Sequence, residues 1–137
     1  MTDVVVTCPK GFWPEWIEEG DAAGEDPTGA EWDFGMGGRI PTIEPGERVY
    51  VVAWGRLRGY APLVELRAHR RGTITSFSLR RKADAVAVTV PVGIKGFQGW
   101  RYRWWDRDVE VPFPDWMTEG IPPQFHPNLG PERRRIA

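Results

Sequence analysis

The sequence predicts an α+β fold, a small mixed β-barrel with short flanking helices. Sixteen glycines and thirteen prolines in 137 residues indicate many turns, which favours short strands with tight connections over a helical bundle. The middle of the chain also carries several short runs of Val, Leu and Tyr, which are typical of strands. A chain of this length forms about one domain and buries roughly two-thirds of its unfolded surface, so we expect a single domain over residues 1–137.

The N-terminal third of the chain predicts a strand, a helix and a long loop. Residues 3–8 form a β-branched apolar run ended by Pro9, which predicts a buried first strand. Residues 12–20 place apolar side chains at helical spacing before Gly20, which predicts a short amphipathic helix. Residues 20–47 are rich in Gly, Pro and Asp without clear periodicity. They predict a functional loop, with Trp32 and Phe34 at its centre.

The rest of the chain predicts strands followed by an irregular tail. Residues 48–54 and 84–94 are the most strand-like runs, so we expect both as central strands. Residues 56–69 predict a further strand that Pro62 either places at an edge or bends, and residues 73–82 predict another. From about residue 109 the chain contains six prolines, which predicts a largely irregular tail.

Residues 100–105, WRYRWW, predict a last strand with two different faces. Alternation puts Trp100, Tyr102 and Trp104 on one face and Arg101, Arg103 and Trp105 on the other. One interpretation buries the first three rings in the core. Trp105 then remains on the arginine face, where its ring is available for stacking.

Charge is unevenly distributed, although the formal net charge is only −1. Residues 1–47 carry eleven acids against two bases, a balance of −9, whereas residues 48–110 carry thirteen bases against five acids, a balance of +8. The basic middle is consistent with a positive face for polyanions. The alternative is that the opposite charges pair in the folded domain.

Sequence features linked to catalysis, metals and membranes are weak. One Cys and two separated His give no zinc spacing, and Cys8 is more typical of a buried strand end than of a nucleophile paired with His69. Residues 35–38, GMGG, follow no predicted strand and precede no Lys-Ser/Thr, unlike a phosphate-binding loop. A single cysteine excludes an internal disulfide. Without a signal peptide or a spanning segment, we expect a cytoplasmic protein with no metal or cofactor.

Eight tryptophans are the most informative feature of the composition. Each buried indole needs a partner for its N–H, and a domain this small has limited room for eight of them. Some should therefore line a pocket, where aromatic faces stack on nucleobases. Trp13 fits either the core face of the predicted helix or such a pocket. Trp32 and Phe34 are the hardest to explain as core residues.

The order of these elements resembles the PUA-like superfamily, with its ASCH and EVE branches closest. The resemblance rests on residues 7–10 (TCPK), the short helix, the aromatic Gly-rich segment 32–39 and the phrase IEPGERVYVV at 43–52. It implies a pseudo-barrel with a pocket that holds a nucleobase, often a modified one. Matched by position, the pocket residues are Cys8, Pro9 and Lys10 in the first turn and Trp32, Asp33, Phe34, Gly35 and Arg39 in the loop.

The resulting hypothesis is a binding domain for RNA or DNA, in which aromatic rings sandwich a base. Lys10, Arg39, Arg101 and Arg103 would contact phosphates or base edges. One ASCH branch hydrolyses modified cytidines with a Gly-x-Lys-x-x-Thr-x-Arg phrase that this sequence lacks.

Two alternatives stay open. One is a small amidohydrolase or nuclease that transfers protons through Lys10 and one of Glu15, Asp33 or Glu65. The other is a protein-binding inhibitor or adaptor of phage or mobile-element origin, whose acidic residues 1–47 imitate nucleic acid.

Overall fold

The computed structural model describes residues 2–14, 31–82 and 86–126. Helical structure in these ranges comprises three 3₁₀ turns at Lys10–Phe12, Arg107–Val109 and Pro123–Phe125, together with helical backbone at Trp13 and Pro14. Strands dominate the same ranges. They are β1 (Val4–Thr7), β2 (Glu31–Gly37), β3 (Arg48–Ala53), β4 (Arg56–Arg71), β5 (Ile74–Lys82), β6 (Val88–Thr89), β7 (Trp100–Tyr102) and β8 (Val111–Pro112).

Six of the strands form one mixed sheet in the order β2-β5-β4-β3-β1-β7. β1 runs parallel to β3, and the other neighbours in this sheet are antiparallel. β6 and β8 form a separate two-stranded sheet. The prediction that residues 48–54 supply a central strand is confirmed, because β3 lies between β4 and β1.

β4 joins the two halves of the large sheet. Its first part pairs with β3 as far as Pro62, and from Leu63 it pairs with β5, with a register shift between Leu63 and Glu65. Proline has no backbone N–H for a strand ladder, and a bulge increases local twist. Pro62 therefore marks a change of partner inside a long strand, and the sheet curls into a half-barrel.

Apolar side chains cover both faces of the central strands. On one face Val4, Val6, Val49 and Val51 belong to a core that also contains Trp13, Phe77, Leu79, Phe113, Trp116 and Ile121. On the other face Val5, Tyr50, Val52 and Leu57 pack with Val90 and Ile94. Strands that are buried on both faces have continuous rather than alternating apolar runs, which explains the VVV of β1 and the VYVV of β3.

The structure corrects two predictions of secondary structure. Part of the predicted loop 20–47 is a strand, because residues 31–37 form β2 and pair along their whole length with β5. Of the predicted strand 84–94, the described residues 86–94 form only an isolated bridge at Val86 and the two residues of β6. Beyond Thr89 the backbone leaves the ladder near Pro91, and the Ile94 amide donates to the Gly55 carbonyl at 2.8 Å.

The C-terminal segment contributes to the core despite its irregular backbone. Phe113, Trp116 and Ile121 are buried, and Trp116 meets Trp13 edge to face at 5.8 Å between ring centroids. The helix predicted for residues 12–20 lies outside the described residues beyond Pro14. In the described part of the chain, no helix is long and apolar enough to span a bilayer.

Candidate functional site

An open cavity of about 550 Å³ lies beside the end of β7. Its apolar lining comes from the segment after β6 and from the two tryptophans that follow β7. Trp104 is 53% exposed and Val92 is 72% exposed. The lining comprises Val90, Pro91, Val92, Gly93, Ile94, Lys95, Arg101, Trp104, Trp105 and Val109.

The side chain of Trp105 is fixed in position on one side of the cavity. Its ring meets Tyr50 edge to face at 5.1 Å and Trp104 edge to face at 5.0 Å between centroids. Its Nε1 donates to Glu110 Oε2 at 2.8 Å. Phe97 supports Trp104 from a distance of 6.2 Å between ring centroids. Trp105 is therefore held by rings and a hydrogen bond, whereas Trp104 keeps an accessible face.

Glu110 binds Trp105 and Tyr50, two rings of this aromatic group, through hydrogen bonds. Its carboxylate, only 7% exposed, accepts from the Tyr50 hydroxyl at 2.6 Å and from Arg48 Nη1 at 3.1 Å. Burial, reinforced by the adjacent Glu110 carboxylate, raises the pKa of Tyr50 well above its usual range. Tyr50 therefore stays a neutral hydrogen-bond donor, and the network fixes the orientation of Trp105.

The charged residues of the lining are both cations. The guanidinium of Arg101 lies 4.4 Å from the centre of the Phe97 ring, an arrangement that orients the group without neutralising it. Lys95 is exposed on the segment that follows β6. A planar apolar ligand carrying negative charge would suit such a lining, because the rings offer stacking surfaces and the cations lie at the rim.

Two predicted site residues meet in this cavity, and a third does not. Arg101 and Trp105 both line it. Arg103 instead turns inward, where its Nε lies 2.9 Å from Oδ2 of the buried Asp3. Its Nη1 also donates to the Trp105 carbonyl. Arg103 therefore stabilises the fold rather than offering a free phosphate contact.

Cys8 and Trp13 are core residues. Both are almost completely inaccessible. The Cys8 thiol donates to the Pro9 carbonyl at 3.4 Å, and Trp13 Nε1 donates to the Met117 carbonyl at 3.0 Å. Core packing thus replaces the ligand contacts expected at these two positions, because a buried ring with a satisfied N–H has no free face for a base.

Lys10 and Arg39 are exposed, but neither lines the cavity. Lys10 Nζ lies 5.0 Å from the centre of the Trp54 ring. Arg39 Cζ lies 4.9 Å from the centre of the Trp100 ring, and its carbonyl accepts from Trp100 Nε1 at 2.8 Å. Both cations thus pack against tryptophans, Trp54 and Trp100, that do not line the cavity.

The predicted pocket residues Trp32, Asp33 and Phe34 have their backbone in β2. Register pairs them with Arg81, Arg80 and Leu79 of β5. Their side chains lie outside what the structure describes. Their predicted contacts with a base therefore stay a prediction.

Sequence reasoning missed Trp104, Lys95 and the segment 90–94. Trp104 was expected on the buried face of a strand, but β7 ends at Tyr102, so alternation no longer sets the direction of later side chains. Tyr102 and Trp104 are both exposed and Trp100 is partly buried, contrary to an aromatic face buried in the core. Pro91 and Gly93, two residues that interrupt strands, were the sequence signal for a loop in segment 90–94.

Several arginines of the basic middle of the chain form ion pairs inside the fold. Asp3 pairs with Arg103 and Arg107, and Glu110 pairs with Arg48. Glu119, in the C-terminal segment, pairs with Arg56 at 3.1 Å. Pairing of opposite charges, the alternative to a uniform basic face, thus accounts for several of the central arginines.

Within the described ranges, no group of three or more His, Cys, Asp or Glu side chains is arranged to hold a metal ion. Two carboxylates close in sequence to the lining residues Trp105 and Val109 accept hydrogen bonds, Glu110 from Trp105 Nε1 and Asp106 from the Asp108 amide at 3.0 Å. The site is therefore best described by its rings and cations. No protein-family model, curated protein or solved structure matches this chain.

Proposed function

We propose that the cavity between Trp104 and the segment 90–95 binds single-stranded nucleic acid by stacking a base on Trp104. The observation that carries this proposal is the half-exposed Trp104 ring, facing a cavity whose charged lining residues are Lys95 and Arg101. Modified bases are included, because stacking does not depend on the hydrogen-bonding edge of a base. The protein would act as a binding domain without chemistry of its own.

Size and exposure support a ligand site here. A volume of about 550 Å³ falls within the range of small-molecule pockets. Trp104, Val92 and Val109 expose apolar surface to water at this cavity, and a stacked ligand would cover part of it. Stacking of one base on an aromatic side chain stabilises a complex by roughly 1–3 kcal/mol, and the two rim cations would add phosphate contacts.

Fluorescence anisotropy of labelled RNA and DNA oligonucleotides at low salt tests this proposal. Trp104→Ala should weaken binding by roughly tenfold or more. Phe12→Ala is the matched control, because Phe12 is also 53% exposed but lies outside the cavity lining. Equal affinity of Trp104→Ala and the wild type would reject Trp104 as the stacking residue.

The same preparation distinguishes the hydrolase and the protein-binding alternatives. Release of base or ammonia from a modified nucleoside would favour an enzyme, and its loss in Glu65→Gln or Lys10→Ala would identify the proton-transfer group. A stable complex with a protein, without any oligonucleotide binding, would favour an inhibitor or adaptor. Salt-sensitive oligonucleotide binding without turnover is the result that we expect.

A further inference from the structure

A second cavity, polar and about 240 Å³ in volume, lies on the β4–β5 hairpin. Cross-strand register places Arg67 opposite Ser78 and Glu65 opposite Arg80. Residues directly opposite in a ladder point to the same side of the sheet. The cavity is lined by Glu65, Arg67, His69, Ser78 and Arg80, and it shares no lining residue with the aromatic cavity.

One carboxylate arranges the two arginines of this cavity. Glu65 Oε1 lies 2.6 Å from Arg67 Nη2 and 3.4 Å from Arg80 Nη1. A guanidinium has five N–H donors, so the contact with Glu65 occupies only part of the donor capacity of Arg67. Glu65 thereby holds both guanidinium groups beside one space.

The remaining two lining residues form a hydrogen-bonded pair. His69 Nε2 lies 3.3 Å from Ser78 Oγ, so one hydrogen is used between them. With Nε2–H as the donor to Oγ, the Ser78 hydroxyl keeps its own hydrogen for an acceptor in the cavity. Two arginines and this hydroxyl around one space make a donor set suited to a tetrahedral oxyanion.

The exposed end of the hairpin is basic. Residues 67–74 are all exposed and contain Arg67, Arg70 and Arg71 with no Asp or Glu. A run of like charge on an exposed hairpin attracts anions over a distance of about one Debye length, roughly 10 Å at 0.1 M salt. The field of the hairpin therefore adds to the local donors.

We propose that the cavity at Glu65, Arg67, His69, Ser78 and Arg80 binds a phosphate group. Arg67 and Arg80 supply N–H donors, Ser78 donates from a hydroxyl that His69 orients, and Glu65 positions the arginines. Glu65 also competes with the bound anion through repulsion. The phosphate belongs either to a nucleic-acid backbone or to a small phosphorylated molecule, and binding does not depend on base stacking at Trp104.

Calorimetric titration of the full chain with inorganic phosphate at fixed ionic strength tests this inference. Arg67→Ala should weaken phosphate binding by about tenfold, the effect of losing one charge-assisted hydrogen bond. Arg70→Ala is the matched control, because it removes an exposed arginine of the same strand from outside the cavity lining. Glu65→Gln should strengthen binding several-fold, since it removes the repulsion and keeps the shape.

Five further outcomes complete the test. Equal weakening by Arg70→Ala and Arg67→Ala would overturn the site in favour of a general charge effect, and so would absence of phosphate binding in both wild type and Glu65→Gln. Displacement of phosphate by an abasic oligonucleotide supports a nucleic-acid backbone as the source, and failure to displace it supports a small phosphorylated ligand. Trp104→Ala should leave phosphate binding unchanged, which separates this inference from the proposed function.

Discussion

Asp3 accepts a hydrogen bond of 2.9 Å from Arg103 Nε and thereby joins the beginning of β1 to the end of β7. The side chain of Asp3 is fully buried. Its carboxylate also accepts from Arg107 Nη2 at 2.8 Å and from the Arg48 amide at 2.9 Å. One carboxylate thus ties together three segments that are distant in sequence, and its loss should affect the whole fold.

Asp3→Asn should lower the free energy of unfolding by about 1.5–3 kcal/mol, because it weakens hydrogen bonds to charged partners in a buried place. Urea denaturation followed by circular dichroism measures the change. Asp108→Asn is the control, since Asp108 is exposed. Equal midpoints for Asp3→Asn and the wild type would contradict the role assigned to Asp3.

The stability should also depend on pH through Asp3. Burial alone raises the pKa of this carboxyl, but hydrogen bonds from the Arg48 amide, Arg107 and Arg103 outweigh it and hold the pKa below its usual value. The ionised form is therefore favoured in the folded state, and its contribution is fully present well above the unfolded pKa of about 3.9. It is lost as the pH falls through the lower folded value. Asp3→Asn should flatten the fall in melting temperature below about pH 4.

Arg101 and Arg103 should behave differently although they are two residues apart. Arg101→Ala should reduce the salt dependence of oligonucleotide binding by about one phosphate contact, a slope change of roughly 0.7 for a single strand. Arg103→Ala should lower the melting temperature and leave that slope unchanged, because its guanidinium is paired with Asp3. Affinity measured across a salt series, with a thermal melt of each variant, checks both statements.

Substitution of Trp104 should affect oligonucleotide binding, whereas substitution of Trp13 should affect folding stability. Trp104→Ala should cost roughly 1–3 kcal/mol of oligonucleotide affinity with little change in melting temperature, since the ring is half exposed. Trp13→Ala should cost about 3–5 kcal/mol of folding free energy, because Trp13 is fully buried. A large loss of stability in Trp104→Ala would assign that ring to the core instead.

Arg58 should be indispensable to the attachment of the C-terminal segment. It is fully buried and donates to the carbonyls of Ala53 at the end of β3, Trp54 in the following turn, and Trp116 and Glu119 in the C-terminal segment. Burial lowers its pKa to about 10. Arg58→Met should destabilise the fold by about 3–5 kcal/mol, because four carbonyls lose a charged donor.

The partly exposed Arg56 is the matched control for Arg58, since it forms an ion pair with the exposed Glu119. Arg56→Met should change stability by less than about 1 kcal/mol. Similar melting temperatures for Arg58→Met and Arg56→Met would show that the buried hydrogen bonds of Arg58 matter less than its geometry indicates.

The strand character of the central chain was predictable because it is a local property. The apolar runs at 4–7 and 48–53 are long enough to identify buried strands, and both are strands in the structure. The run at 84–94 shows the limit of this reasoning. Its alternating valines meet the strand pattern, yet Val86 and Val92 are exposed, and among the described residues 86–94 only Val86, Val88 and Thr89 pair with another segment.

The candidate site was predictable only in part. The sequence predicted that it combines aromatic rings with cations, and it predicted two of the lining residues, Arg101 and Trp105. The sequence by itself determined that a small domain has to place eight tryptophans and that the middle of the chain is basic. Tertiary structure alone decided that Trp13 packs inside, that Trp104 stays half exposed, and that Arg103 pairs with Asp3. The physical reason is that side chains alternate between the two faces of a sheet only where the backbone is paired in a strand. Beyond Tyr102 the direction of each ring depends on distant partners such as Tyr50 and Phe97, which no local pattern encodes.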